Sequence, residues 1–173
     1  MTQESKRAVI ITGPNFQDEE YIYPYYRLLE GGFQLDVAIK DKAVVKGKYG
    51  IPAKPTMDTK DLKESNYDLV VLPGGHEAPD RVRQDPNVLK FVKEMSEQNK
   101  VVAAICHGPW IMISAKVVKG RKMTAYEGIK DDIMNAGAEY VDAPVVVDKN
   151  FITSPHYKNN GDFMKEIVKK FPA

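Results

Sequence analysis

The sequence has 173 residues, which fits one domain (residues 1–173) with a core large enough to fold without disulfides or bound metal. Its 25 lysine and arginine residues nearly balance 24 aspartate and glutamate residues, and its apolar runs are far shorter than the roughly 20 residues of a membrane span, so we expect neither nucleic acid nor a membrane as partner. The single cysteine excludes an internal disulfide, and no charged leader followed by an apolar run opens the sequence, which predicts a cytoplasmic protein.

In the first half of the chain, the sequence pattern predicts three strands, one helix and a hairpin. Apolar runs and alternating patterns predict strands at residues 7–12, 33–39 and Leu69–Leu72. A helix follows the first strand over about residues 17–30, and Pro24 predicts either a kink or a late start for it. Residues 41–57 contain several glycines and prolines, which favour a small hairpin outside the main sheet.

The second half continues the alternation of helices and strands. We predict helices at about residues 86–98, 110–117, 129–135 and 162–170, strands at Val101–Ile105 and 123–125, and a hairpin at 145–153. Such alternation is typical of an α/β fold with a mainly parallel, doubly wound sheet and helices on both faces. Ligands of these folds bind at the carboxyl ends of the strands, so the loops after Thr12, Leu72 and Ile105 are expected to meet in one crevice.

Cys106 lies at the turn between a fully apolar strand and the next predicted helix. Ala104 and Gly108, two positions away on each side, give the small neighbours that a tight strand-to-helix turn requires, as in the G-x-S-x-G nucleophile elbow. At such a turn the thiol faces the N–H groups of the following helix, which would lower its pKa and favour the nucleophilic thiolate. The alternative is a small buried hydrophobic residue.

Three further residues are predicted to lie near the same crevice. The glycine pair that ends in Gly75 allows a backbone N–H to approach a ligand, and the N–H of His107 would be the second oxyanion donor. The alternative is an ordinary tight turn. Glu20 could hydrogen-bond the thiolate if it keeps its proton, although an acidic residue at a helix start is commonly a dipole partner.

Four segments together resemble the ThiJ/PfpI superfamily, and most nearly its PfpI-type intracellular proteases. They are Ala-Ile-Cys-His-Gly-Pro at 104–109, Leu-Pro-Gly-Gly at 72–75, Glu20 with Ile-Tyr-Pro-Tyr at 22–25, and Tyr-Glu-Gly-Ile-Lys-Asp-Asp at 126–132. The resemblance covers nearly the whole chain. It implies a flavodoxin-like three-layer sandwich, related to class I glutamine amidotransferases, in which Cys106 is the nucleophile.

The resemblance also implies roles for individual residues. Glu20 would be the protonated carboxyl beside the thiol, Gly75 and His107 would supply the oxyanion N–H groups, and Tyr126 would lie near the pocket. In the protease branch an acid from a neighbouring subunit pairs with the histidine, and the matching position here is Asp80. A homo-oligomer, a dimer or hexamer with the site near a subunit interface, is therefore expected.

Two departures from the family pattern affect these expectations. The segment 76–80 is one residue longer than the PfpI pattern, and an aspartate stands where glutamate is expected, so Glu77 is an alternative to Asp80 as the partner of His107. The run Thr-Ser-Pro-His-Tyr at 153–157 replaces a Ser-Arg-x-Pro run. We interpret His156 as a surface-loop residue, with a place on the pocket wall as the alternative.

These residues predict a cysteine hydrolase that attacks a peptide or amide carbonyl through Cys106. One alternative is a glyoxalase or deglycase acting on small 2-oxoaldehydes such as methylglyoxal, because both chemistries need the same residues around the sulfur. A second is a non-enzymatic, redox-sensing stress protein. The few histidines are widely spaced and no phosphate-binding glycine motif occurs, so we expect no metal and no cofactor.

Overall fold

A central six-stranded sheet organises the chain in a computed structural model, which describes residues 5–173. The strand order is β2-β1-β5-β6-β10-β9, in which β9 alone is antiparallel to its neighbour. The strands are β1 (Arg7–Ile11), β2 (Gln34–Ala38), β3 (Val45–Lys46), β4 (Pro52–Ala53), β5 (Leu69–Leu72), β6 (Val101–Ile105), β7 (Lys122–Met123), β8 (Glu139–Tyr140), β9 (Val146–Asp148) and β10 (Phe151–Ser154). The helices are α1 (Asp18–Glu30), α2 (Ala78–Val82), α3 (Pro86–Glu97), α4 (Pro109–Ser114), α5 (Lys130–Asn135) and α6 (Asn160–Lys169).

The sheet is buried on both faces, as the continuous apolar runs of its inner strands require. Val70 and Val102 point to one face, where they pack with residues of α3, α4 and α5. Leu69 and Ile105 point to the other face, towards α1 and α6. This arrangement confirms the predicted α/β fold with a mainly parallel sheet between two helical layers. None of the helices within residues 5–173 is long and apolar enough to cross a membrane.

The structure differs from the local predictions at helices α1 and α2 and agrees with them at the hairpin outside the main sheet. Helix α1 begins at Asp18 and runs through Pro24, which is buried, so the late start is wrong, while the kink at Pro24 stays a prediction. Helix α2 was not predicted, because the glycines, prolines and charges around residues 73–85 indicate a loop. The hairpin outside the main sheet is confirmed by the antiparallel pairing of β3 with β4.

Asp18 connects this small hairpin to the main body of the protein. Its carboxylate is 5% exposed and accepts hydrogen bonds from the backbone N–H groups of Tyr49 and Ile51, both at 2.8 Å. Gly47 approaches so closely that a Cβ there would lie 2.5 Å from the Asp18 carboxyl carbon. An acidic residue in the first turn of a helix is commonly a dipole partner, whereas the structure shows that Asp18 anchors the loop between β3 and β4.

We expect Asp18→Asn to lower the free energy of unfolding by about 1–3 kcal/mol, because the amide would turn an N–H group towards one of two backbone donors. Urea denaturation followed by circular dichroism measures this change. Glu30→Gln is the control, since the Glu30 side chain is largely exposed and makes only a long ion pair with Arg27. Equal midpoints for the two variants would contradict the anchoring role.

Candidate active site

Cys106 occupies a strained turn between β6 and α4. Its φ angle is 62°, in the left-handed region that L-residues other than Asn and Asp seldom adopt. Its N–H donates to Ser154 O and its carbonyl accepts from Tyr126 N–H, each at 2.9 Å, so the turn is held from both sides. A Cβ at Gly108 would lie 2.9 Å from Ile105 O, which explains why a glycine is needed two positions after the cysteine. The predicted strand-to-helix elbow is confirmed.

Glu20 lies fully buried behind the sulfur. Its Oε1 accepts a hydrogen bond from Gly74 N–H at 3.0 Å, whereas its Oε2 has no hydrogen-bond partner among the described residues. Burial raises the pKa of Glu20 to about 8, and the Gly74 N–H and the nearby Cys106 thiol reduce this effect only partly. The carboxyl group is therefore mainly protonated at neutral pH.

His107 places its ring against the sulfur. Nδ1 lies 3.2 Å from Cys106 Sγ, and the ring stacks on Tyr126 with 4.7 Å between the ring centroids. Burial, with a smaller contribution from His76, lowers the pKa of His107 to about 4. The imidazole is thus neutral at pH 7. With its proton on Nε2, its Nδ1 can accept a hydrogen bond from the thiol.

The predicted lowering of the thiol pKa is wrong for this structure. Burial, followed by the charge of Glu20, raises the pKa of Cys106 to about 12. The backbone N–H groups of Gly75 and His107 do face the sulfur and lower its pKa, but they do not outweigh these effects. The side chain is 7% exposed. The resting site therefore holds a neutral thiol beside a neutral imidazole and a protonated carboxyl group.

An open cleft of about 400 Å³ leads to this thiol. It is lined by Gln17, Glu20, Lys48, Tyr49, Gly75, His76, Cys106, His107, Tyr126, His156 and Tyr157. The single cysteine and all three histidines of the sequence thus meet in one place. Within residues 5–173 no group of three or more His, Cys, Asp or Glu side chains is arranged to hold a metal ion.

The structure brings together five of the six predicted site residues. Cys106, His107, Glu20, Gly75 and Tyr126 line the cleft, and so does His156, a half-buried loop residue, which confirms its alternative place on the pocket wall. Sequence reasoning missed Gln17, His76 and Tyr157 of the lining, and also Lys48 and Tyr49. The turn glycines at 47 and 50 mark the loop that carries them, but they do not indicate its direction.

The sixth residue, Asp80, is exposed on α2 and does not line the cleft. Its rival Glu77 hydrogen-bonds Asn15 and forms an ion pair with Arg81 at 2.8 Å, so it is already paired. No carboxylate of the described residues hydrogen-bonds His107 within the chain. The structure describes one chain, and an acid from a neighbouring subunit stays a prediction.

A family profile and individual relatives both show similarity to this chain over most of its length. The profile of the DJ-1/PfpI family matches residues 6–170. Deglycase PfpI of Pyrococcus furiosus is 42% identical over 163 residues, which cover 94% of this chain and 98% of that protein. General stress protein 18 of Bacillus subtilis is 41% identical over 145 residues, or 82% of this chain and 83% of that protein.

A solved structure extends the similarity to the fold. A two-domain protein of Anabaena variabilis, with DJ-1/ThiJ/PfpI-like and ferritin-like domains, has a TM-score of 0.94 at 37% identity, over 96% of this chain and 48% of that one. The region that the family profile matches, residues 6–170, includes the cleft and every residue that lines it.

The raised pKa of Glu20 predicts a pH dependence of stability. The carboxyl group holds its proton up to about pH 8 when folded, against an ordinary value of 4.5, so the folded state binds more protons between these values. The contribution of Glu20 to the free energy of unfolding should therefore fall as pH rises from 5 to 8, by up to about 1.4 kcal/mol per pH unit, whereas the lowered pKa of His107 has the opposite effect below pH 6.5. Urea denaturation at pH 5 and pH 8 measures this change. Between these pH values the free energy of unfolding should decrease less in Glu20→Gln than in the wild type. An equal decrease in both proteins would contradict the raised pKa of Glu20.

Proposed function

Because the chain belongs to the DJ-1/PfpI family, we propose that it is a cysteine-dependent enzyme acting on 2-oxoaldehydes such as methylglyoxal or on their adducts with amines. The observation that carries this proposal is the contact of neutral His107 with the Cys106 thiol at 3.2 Å, at the base of a small cleft. The relative from Pyrococcus furiosus, which is named a deglycase, supports the same class of reaction.

The protonation states favour an aldehyde over a peptide. Cysteine proteases rely on a thiolate beside a histidine that another group orients, because the amide carbonyl is a weak electrophile. Here burial keeps the thiol protonated, and no carboxylate within residues 5–173 hydrogen-bonds the histidine. An aldehyde carbon accepts a thiol far more readily than an amide does, so this resting site suits the aldehyde better.

The proposed reaction begins with addition of Sγ to the aldehyde carbon. His107 Nδ1 removes the thiol proton as the C–S bond forms, and the N–H groups of Gly75 and His107 stabilise the oxygen that gains negative charge. The hemithioacetal then moves a proton from the first to the second carbon and becomes a 2-hydroxy thioester. Water cleaves the thioester, so that methylglyoxal plus water yields lactate, with no external oxidant.

Peptide or amide hydrolysis is the second candidate. The exposed Asp80 favours it, because its carboxylate makes no side-chain hydrogen bond or ion pair with the described residues and is free to reach a histidine of another subunit. In that case His107 would protonate the leaving amine. The third prediction, redox sensing, accords with the name of the Bacillus subtilis stress protein and stays untested.

We expect the purified full chain to release lactate from methylglyoxal, measured by a coupled lactate assay. Cys106→Ser should abolish the release, and His107→Ala should reduce kcat by roughly 10²–10⁴-fold, since a general acid-base residue contributes about that much. Glu97→Gln is the surface control, because Glu97 is exposed and pairs only with Lys93. Cleavage of a fluorogenic peptide that is lost in Asp80→Asn, without lactate release in the wild type, would favour the protease instead.

A further inference from the structure

The loop that carries Lys48 and Tyr49 is held rigidly beside the sulfur. We call residues 47–50 the rim loop. Besides the two hydrogen bonds to Asp18, Lys48 N–H donates to Phe16 O and Asn15 N–H donates to Lys46 O, both at 2.9 Å. Phe16 belongs to the segment between β1 and α1 that also packs against Gly75. The segment between β1 and α1 therefore contacts both the rim loop and Gly75, which is one of the two oxyanion donors.

Lys48 gives the cleft its fixed charge. It is the one lysine or arginine among the described residues that line the cleft, whereas burial keeps Glu20 mainly protonated and His107 neutral at pH 7. Two carboxylates outside the lining already accept hydrogen bonds: Asp18 from the N–H groups of Tyr49 and Ile51, and Glu19 from Gln17 Nε2 at 2.7 Å. A bound substrate would thus meet one ammonium group and no ionised carboxylate in the wall of the cleft.

We propose that Lys48 recognises a negatively charged group on the substrate, such as a carboxylate or phosphate, while the reactive carbonyl lies against Cys106. This inference rests on the proposed function and narrows its substrate class to anionic 2-oxoaldehydes and their adducts. Lys48 is exposed at the mouth of the cleft, with its Nζ 5.5 Å from the centroid of the Tyr49 ring, and an ammonium group binds such an anion through a charge-assisted hydrogen bond. Tyr49, next to Lys48, adds a hydroxyl and an aromatic surface at the mouth of the cleft.

One example of this class is 4,5-dioxopentanoate, a 2-oxoaldehyde with a carboxylate at the far end of a short chain. Its aldehyde carbon would add Sγ as methylglyoxal does, and the same proton shift and hydrolysis would convert the molecule plus water into 2-hydroxyglutarate. Its methyl ester is neutral and otherwise similar in shape. The pair therefore isolates the effect of the charge.

Alkylation of Cys106 tests the charge preference without any turnover. Iodoacetate and iodoacetamide have nearly the same shape but differ in charge, and the sequence has one cysteine, so intact-mass kinetics report on one site. We expect Lys48→Glu to lower the ratio of the iodoacetate rate to the iodoacetamide rate by about tenfold. Lys46→Glu is the matched control, because Lys46 is exposed in the same hairpin but does not line the cleft. An equal change of the ratio in both variants, or no change in Lys48→Glu, would overturn the proposal.

Turnover separates this inference from the proposed function. The wild type should have a higher kcat/KM for 4,5-dioxopentanoate than for its methyl ester, and Lys48→Ala should remove most of the difference mainly through KM. Turnover of methylglyoxal without a preference for the anion would refute the role of Lys48 and leave the proposed function standing. Turnover of no 2-oxoaldehyde would refute the proposed function, and the alkylation ratio would still decide the role of Lys48.

Discussion

The buried contact between the Glu20 carboxyl group and the Cys106 sulfur constrains the rest of the site. Burial raises the pKa of both groups, and the charge of an ionised Glu20 raises the pKa of the thiol further, whereas the neutral thiol favours ionisation of Glu20 by a smaller amount. The two therefore carry at most one negative charge near neutral pH and titrate as a pair rather than as independent acids. The Gly74 N–H and the backbone donors at 75 and 107 then determine where that charge is best stabilised.

The backbone around this pair follows from the same constraint. A Cβ at Gly74 would lie 2.6 Å from the Cys106 Cβ, so the carboxyl group and the sulfur can meet only where that residue lacks a side chain. The positive φ of Cys106 directs its side chain out of the strand and into the cleft. Neighbouring strands secure the turn through hydrogen bonds to Ser154 and Tyr126. Local strain at the cysteine is thus offset by the stability of the parallel sheet.

Much of the fold was predictable, because buried strands leave continuous apolar runs and helices leave a 3.6-residue period. Most of the site followed from the family resemblance together with the rule that strand ends converge. The features that the sequence did not predict depend on three-dimensional surroundings. The pKa of the Cys106 thiol is raised by burial, which no local motif encodes. The Asp18 carboxylate is bound by a loop some 30 residues away in the chain. Lys48 and His156 lie on loops whose direction is set by long-range hydrogen bonds. A late start of α1 at Pro24 was wrongly allowed, because burial of Pro24 in the packed helix outweighs its low helix propensity.

Because Cys106 is the single cysteine of the sequence, its oxidised form cannot be reduced through a second thiol of the same chain. Many redox-active proteins restore an oxidised sulfur with a second, resolving thiol of their own, which forms a disulfide that reductases recognise. Cys106 has no such companion in the sequence. A sulfenic acid formed at this position would have to be rescued by a small thiol that fits into the cleft, such as glutathione or cysteine. The dimensions of the cleft would then decide which cellular reductant returns the protein to its working state.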